Sequence, residues 1–212
     1  MGSPVDHLVF ATRDINEGIG QMEELLSLPS VRGGSHPGLG TCNAHIALGP
    51  QCYLEIIGPD PNQPDFVGSR PFGIDGIDSA QLMNWAARRN GLSDFVQAVR
   101  AKGLNLSETF PLSRVTAEGD TLEWELSYPQ DISSNPEGVN VVPFLIDWGK
   151  SPHPASHCKE SAQLLQLELI HTYSERITHI ADILELEVSI STGVEQKIRA
   201  QIKCPRGEIV LS

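Results

Sequence analysis

Val5-Asp6-His7-Leu8-Val9-Phe10-Ala11-Thr12 and a later stretch, Gln51-Cys52-Tyr53-Leu54-Glu55-Ile56-Ile57-Gly58, decide how this chain folds. Both are short, apolar and rich in residues that favour strands. Each carries an ionisable side chain, His7 in one and Glu55 in the other, where a core strand would have none. An unpaired buried carboxylate is costly, so a His and a Glu on two strands of one small sheet are expected to meet at a metal ion or a bound ligand. Between them runs Gly33-Gly34-Ser35-His36-Pro37-Gly38-Leu39-Gly40-Thr41-Cys42-Asn43. This glycine-rich loop is expected to bring His36 and Asn43 towards the same sheet.

Outward from the first strand, Asp14 is placed to cap a helix, with Glu17 at capping-box spacing and Ile15, Ile19, Met22 and Leu26 on one face. Strands are expected at about 41–48 and 51–58, joined by Gly49-Pro50, and Pro59 to Pro64 opens a loop to about residue 80. The order then repeats. A strand over 81–88 precedes a helix over 94–102, capped by Ser93 and closed by Gly103. Strands follow near 112–117, 120–128 and 140–148, with Glu118-Gly119-Asp120 as a turn. Two segments of shared β-α-β-β(-β) order, about 4–58 and 82–149, make an internal duplication. After a linker at 149–157, a strand at 164–171, a helix at 174–185 and short strands near 187–190, 195–203 and 207–211 suggest a third, partial copy. That helix reads as an amphipathic cover.

Composition narrows the function classes. The net charge is −12 and no basic cluster occurs, so nucleic acid and anionic membranes are poor partners. Cys42, Cys52, Cys158 and Cys204 form no C-x-x-C pair, and buried free thiols are expected. The start of the sequence lacks a basic segment followed by an apolar one, and no run nears the ~20 apolar residues of a membrane span. A cytoplasmic protein is the default expectation. No phosphate-loop Lys, dinucleotide fingerprint or Ser-His-Asp order is present.

Asp6-His7-Leu8-Val9, the 34–43 loop, Tyr53-Leu54-Glu55-Ile56-Ile57 with Pro59-Asp60-Pro61, and Pro143-Phe144-Leu145-Ile146-Asp147-Trp148-Gly149 with His153-Pro154 together resemble the glyoxalase-like family of the vicinal-oxygen-chelate superfamily. The resemblance implies an α+β fold in which tandem βαβββ modules form one curled mixed sheet, a cup. On this reading residues 1–158 form the glyoxalase-like domain, and 159–212 a C-terminal βαββ-like segment packed on it. It implies a divalent metal (Zn, Ni, Mn or Fe) on His7 and Glu55. In the second module Asn84 falls opposite His7 and Ile146 opposite Glu55, so half of the family's ligand set is missing.

The expected function is lyase- or isomerase-type chemistry beside a carbonyl of a small-molecule substrate. Glu55 would be base or ligand, His7 ligand or acid, and His36, Asn43 and Asp147 would contact the substrate. The alternative is a non-catalytic, ligand-sequestering protein of the same fold; a homodimer is also compatible. Blander readings stand beside each residue: His7 satisfied by hydrogen bonds inside the cup, Glu55 facing water, His36 and Asn43 serving turn chemistry. His153 and His157 read as solvated loop histidines. Glu123 and Glu125 alternate with Leu122, Trp124 and Leu126, and one of them could enter the cup in place of a missing ligand.

Overall fold

A computed structural model describes residues 2–116, 119–130 and 139–212. The turn expected at Glu118 therefore lies partly outside the described residues. The first module comprises strand β1 (Val5–Ala11), helix α1 (Ile15–Leu26), β2 (Val31–His36), β3 (Thr41–Gly49) and β4 (Cys52–Pro59). The second comprises β5 (Gln81–Arg88), α2 (Leu92–Ala101), β6 (Phe110–Val115), β7 (Thr121–Ser127) and β8 (Phe144–Asp147). All eight strands join one mixed sheet in the order β2-β3-β4-β1-β5-β8-β7-β6. In each module the first strand lies parallel to the last, and β1 pairs antiparallel with β5 at the centre. The two halves therefore share one topology about the β1–β5 junction, as the repeat in the sequence required.

The sheet curls until its outermost strands approach. Arg114 on β6 donates to the carbonyl of Gly33 on β2 across this seam. Both faces of the central strands are buried, which is why β1 reads as almost continuously apolar rather than alternating. Leu8 and Phe10 point outward into a core shared with α1 and α2, while Val9 and Ala11 point into the cup.

Two local expectations are corrected. The glycine-rich segment is no free loop: it is the β2–β3 hairpin, paired from Val31↔His45 to His36↔Thr41. Helix α2 is not capped by Ser93. Its N-cap is Gly91, in the left-handed region at φ 67°, and the Gly91 and Leu92 amides donate to Oδ2 of Asp147 at 2.8 and 3.4 Å. Asp14 does cap α1, accepting from the amides of Asn16 and Glu17 at 2.8 and 3.1 Å.

The C-terminal segment is present: β9 (Gln163–His171), α3 (Ser174–Leu184), β10 (Ser189–Thr192), β11 (Lys197–Cys204) and β12 (Gly207–Leu211). Its sheet order, β10-β9-β11-β12, differs from that of the modules. After α3 the chain returns directly beside β9, so this is not a third copy of the module topology. Leu167, Leu169, Ile198 and Ile202 join the outer core of the large sheet. The Ala162 amide donates to the Ala47 carbonyl at 2.9 Å, tying the segment's entry to β3. No helix among the described residues is long and apolar enough to cross a membrane. All four cysteines are free thiols, each partly buried.

Candidate active site

The cup encloses a cavity with about 610 Å³ of free space, its open mouth included. The pleat explains which residues face it. His7 lies opposite Tyr53 in the β1–β4 pair, and His45 opposite Glu55 in the β3–β4 pair, so all four share the inner face. Asn43, two residues before His45, shares it too. His7, His36, Asn43 and Glu55 therefore meet at one cavity.

Glu55 is 7 % exposed and His7 3 % exposed, so neither is solvated as a surface group would be. The Asn43 amide donates to Glu55 Oε1 at 2.5 Å. Glu55 Oε2 faces His7 Nε2 at 3.8 Å, inside ion-pair range but beyond a hydrogen bond. One carboxylate oxygen is thus occupied by Asn43 and the other is turned towards the histidine. Tyr53 stacks on the His7 ring with centroids 4.6 Å apart.

The other ring nitrogen of His7 is held from behind. Nδ1 lies 2.8 Å from Asp6 Oδ1. Adjacent strand residues normally point to opposite faces, but β1 carries a bulge between Val5 and His7 that swings Asp6 to the same side. Asp6 is fully buried and also accepts from Trp148 Nε1 at 3.2 Å and from His153 Nε2 at 3.2 Å, with Arg88 Nη1 at 3.7 Å. The His153 Nδ1 accepts from the Ala155 amide, leaving Nε2–H to donate to Asp6. Burial alone would push the Asp6 carboxyl up. Hydrogen bonds from His153 and His7, and the electrostatic attraction of those two rings, overcome that and hold it well below the usual carboxylate range. Burial lowers His45 well below its ordinary value, with the Arg114 guanidinium adding to the shift, and lowers His36 as well.

The remaining candidates lie elsewhere. Asp147 caps α2 and does not line the cavity. Glu123 and Glu125 are exposed and face away from the cup, where Trp124 and Leu126 point inward. Asn84 does not line the cavity either, and its Oδ1 accepts from the Trp85 amide at 2.8 Å. Ile146 does line it, an apolar group across from Glu55. His153 is not a solvated loop residue but part of the Asp6 cluster.

The donor set decides whether a metal centre is built in. Among the described residues no three His, Cys, Asp or Glu side chains are grouped to hold an ion. His7 and Glu55 supply two donors and Ile146 none, while Asn43 gives its N–H to Glu55 and keeps a buried Oδ1 with no hydrogen-bond partner among the described residues. Catalytic metal centres take three protein ligands, so an ion here would have His7, Glu55 and the Asn43 Oδ1 as its donors and not the His and Glu set from both modules that the resemblance implied.

Sequence reasoning missed Asp6, His45, His153 and Arg114. His45 was within reach, because Asn43 and His45 sit two apart on one strand and must share a face. The strand also depends on Gly33. A Cβ there would overlap Asn43 Oδ1 and His45 Cε1. Gly33→Ala is expected to lower stability by ~1–3 kcal/mol. An unchanged thermal midpoint would show that Asn43 and His45 give way freely.

The Glyoxalase-like domain family matches residues 5–184. The chain belongs to this family, and the curled eight-stranded sheet is the vicinal-oxygen-chelate fold. No curated protein sequence matches it. Among solved structures it is similar to a hypothetical protein from Staphylococcus aureus, at 12% identity and a TM-score of 0.66, over 98% of this chain and 84% of that one. It is also similar to a Streptomyces coelicolor methylmalonyl-CoA epimerase variant in complex with 2-nitronate-propionyl-CoA, at 11% identity and a TM-score of 0.50, over 73% of this chain and all of the other. At these identities the likeness is one of fold.

Proposed function

We propose that this chain is a glyoxalase-like enzyme that moves a proton on carbon next to a carbonyl, the step shared by isomerase and lyase chemistry. One observation carries the reading: His7 Nε2 and Glu55 Oε2 face each other at 3.8 Å, both buried at one cavity, each with its other polar atom already held. Glu55 takes the α-proton at Oε2. His7, held at Nδ1 by Asp6, donates from Nε2 to the carbonyl oxygen as the carbonyl becomes an enol. The spacing suits groups acting on neighbouring atoms of one substrate. A shared fold with an epimerase assigns no chemistry by itself.

The test is exchange of α-hydrogen for deuterium in D2O, followed by proton NMR on simple ketones. Enzyme-dependent exchange supports the reading, and exchange no faster than in buffer removes it. With Glu55 and His7 alone carrying the proton, EDTA treatment is expected to change the exchange rate by less than about twofold. A loss that Zn, Ni, Mn or Fe restores would show that an ion takes part. The apolar group at Ile146 favours one rival, a ligand-sequestering protein. Tight binding without exchange is its signature.

A further inference from the structure

The two modules contribute opposite chemistry to the cavity. The first supplies His7, Asn43, His45 and Glu55 from β1, β3 and β4. The inward positions of β7 and β8 carry only rings and aliphatic groups: Trp124, Leu126, Phe144 and Ile146. Arg114, on β6, sits at the seam and is bonded to the first module's Gly33. The cavity therefore has a polar end and an apolar wall rather than polar groups throughout.

The apolar wall is built from rings in similar orientation. Phe110 and Tyr128 are 5.7 Å apart with planes 16° from parallel, Tyr128 and Phe144 5.3 Å and 30°, Phe144 and Phe72 6.0 Å and 32°. Phe72 reaches this row from the loop after β4, with its backbone in the left-handed region at φ 59°. That conformation is unfavourable for an aromatic residue and persists only where the surroundings impose it. Arg70, two residues before it, donates to the Gly40 carbonyl at 2.9 Å and pairs with Asp75 at 2.6 Å, bracing the turn that carries Phe72. A strained backbone spent on placing a ring against the cavity points to a ligand that the ring touches.

Resting on the acid–base reading above, we infer that the substrate is a carbonyl compound with a flat aromatic or conjugated body. Its carbonyl end meets His7 and Glu55, and its body lies along the Phe72–Phe144–Tyr128 row. Such a ligand gains offset stacking beyond the burial that any aliphatic chain of equal area would give.

Two probes separate the inference from the reading beneath it. 1-Phenyl-2-propanone and 2-butanone both carry a CH2 between a carbonyl and a second substituent, and only the first has a ring. Binding is read by quenching of tryptophan fluorescence, since Trp124 and Trp148 line the cavity, and chemistry by deuterium exchange corrected for buffer. The phenyl ketone is expected to bind at least about tenfold more tightly than butanone. Phe72→Ala is expected to narrow that gap to less than about threefold. Should Phe72→Ala not fold, Tyr128→Leu, at a half-buried position of the same row, gives the comparison. Equal affinity for the two ketones, or a gap untouched by either variant, overturns the inference. Ring-selective binding without exchange keeps the ligand class and removes the acid–base reading. Exchange that is as fast on butanone as on the phenyl ketone, with equal binding, keeps the chemistry and removes the ligand class.

Discussion

Glu55→Gln is expected to slow α-hydrogen exchange by about 10²–10⁴-fold while leaving the fold intact, the usual effect of losing a positioned general base. The amide has the shape of the carboxylate, and its carbonyl oxygen can still accept from Asn43, whose Nδ2 now meets Glu55 Oε1 at 2.5 Å. What disappears is a basic oxygen directed at the cavity and the charge opposite His7 Nε2. Circular dichroism and the thermal midpoint report the fold, and NMR exchange reports the chemistry. An exchange rate within about threefold of wild type would assign the base role to another group.

Asp6→Ala is expected to be the most destabilising single substitution in the cup, at ~3–5 kcal/mol, because removing one partner from a buried charged cluster leaves the others uncompensated. Three buried or nearly buried donors converge on that carboxylate: His7 at 2.8 Å, and Trp148 and His153 at 3.2 Å. The pH dependence has a definite sign. The folded carboxyl titrates below its unfolded value of 3.8, so its contribution is fully present above that value and is lost as pH falls through the lower folded one. Wild type and Asp6→Ala are therefore expected to differ most at neutral pH, to begin to approach each other only below the unfolded value of 3.8, and to converge only at strongly acidic pH. A gap that stays constant from neutral to strongly acidic pH would mean that the carboxylate's charge is not what stabilises the cluster. Asp6→Asn gives a second readout. An amide N–H presented to His7 Nδ1 removes the proton from that nitrogen, a change visible in the nitrogen NMR shifts of the imidazole, which a purely structural role for Asp6 would not produce.

The repeat was readable because its punctuation is local. Asp14 before Ile15, Gly49-Pro50 between two apolar runs and Gly103 after α2 all mark element ends by backbone chemistry alone. What escaped depends on contacts far apart in the chain. Ser93 looked like a cap because nothing nearby shows that Asp147, from the end of β8, reaches the Gly91 and Leu92 amides first. Strand β2 looked like a loop because its glycines lower its strand propensity, and their reasons are distant: Asn43 and His45 crowd Gly33, and Gly34 takes φ 140° beside the Val115 carbonyl. His7 and Glu55 were legible as charges in core-like strands. His153 was not, because a Pro-flanked histidine gives no hint of a carboxylate 147 residues earlier in the chain.

The bulge at Asp6 makes the pocket's chemistry a matter of strand length as well as composition. In a strand without the extra residue, Asp6 and His7 would face opposite ways, and one of them would land among Leu8 and Phe10 in the outer core. Where the strand takes up its extra residue thus decides whether the histidine meets its carboxylate, whereas many substitutions nearby would leave the pair together. Two chains sharing this same string of residues, one with the offset and one without, would carry different pockets. Divergence among such cups can therefore advance by single insertions and deletions at the start of β1 while every side chain stays the same.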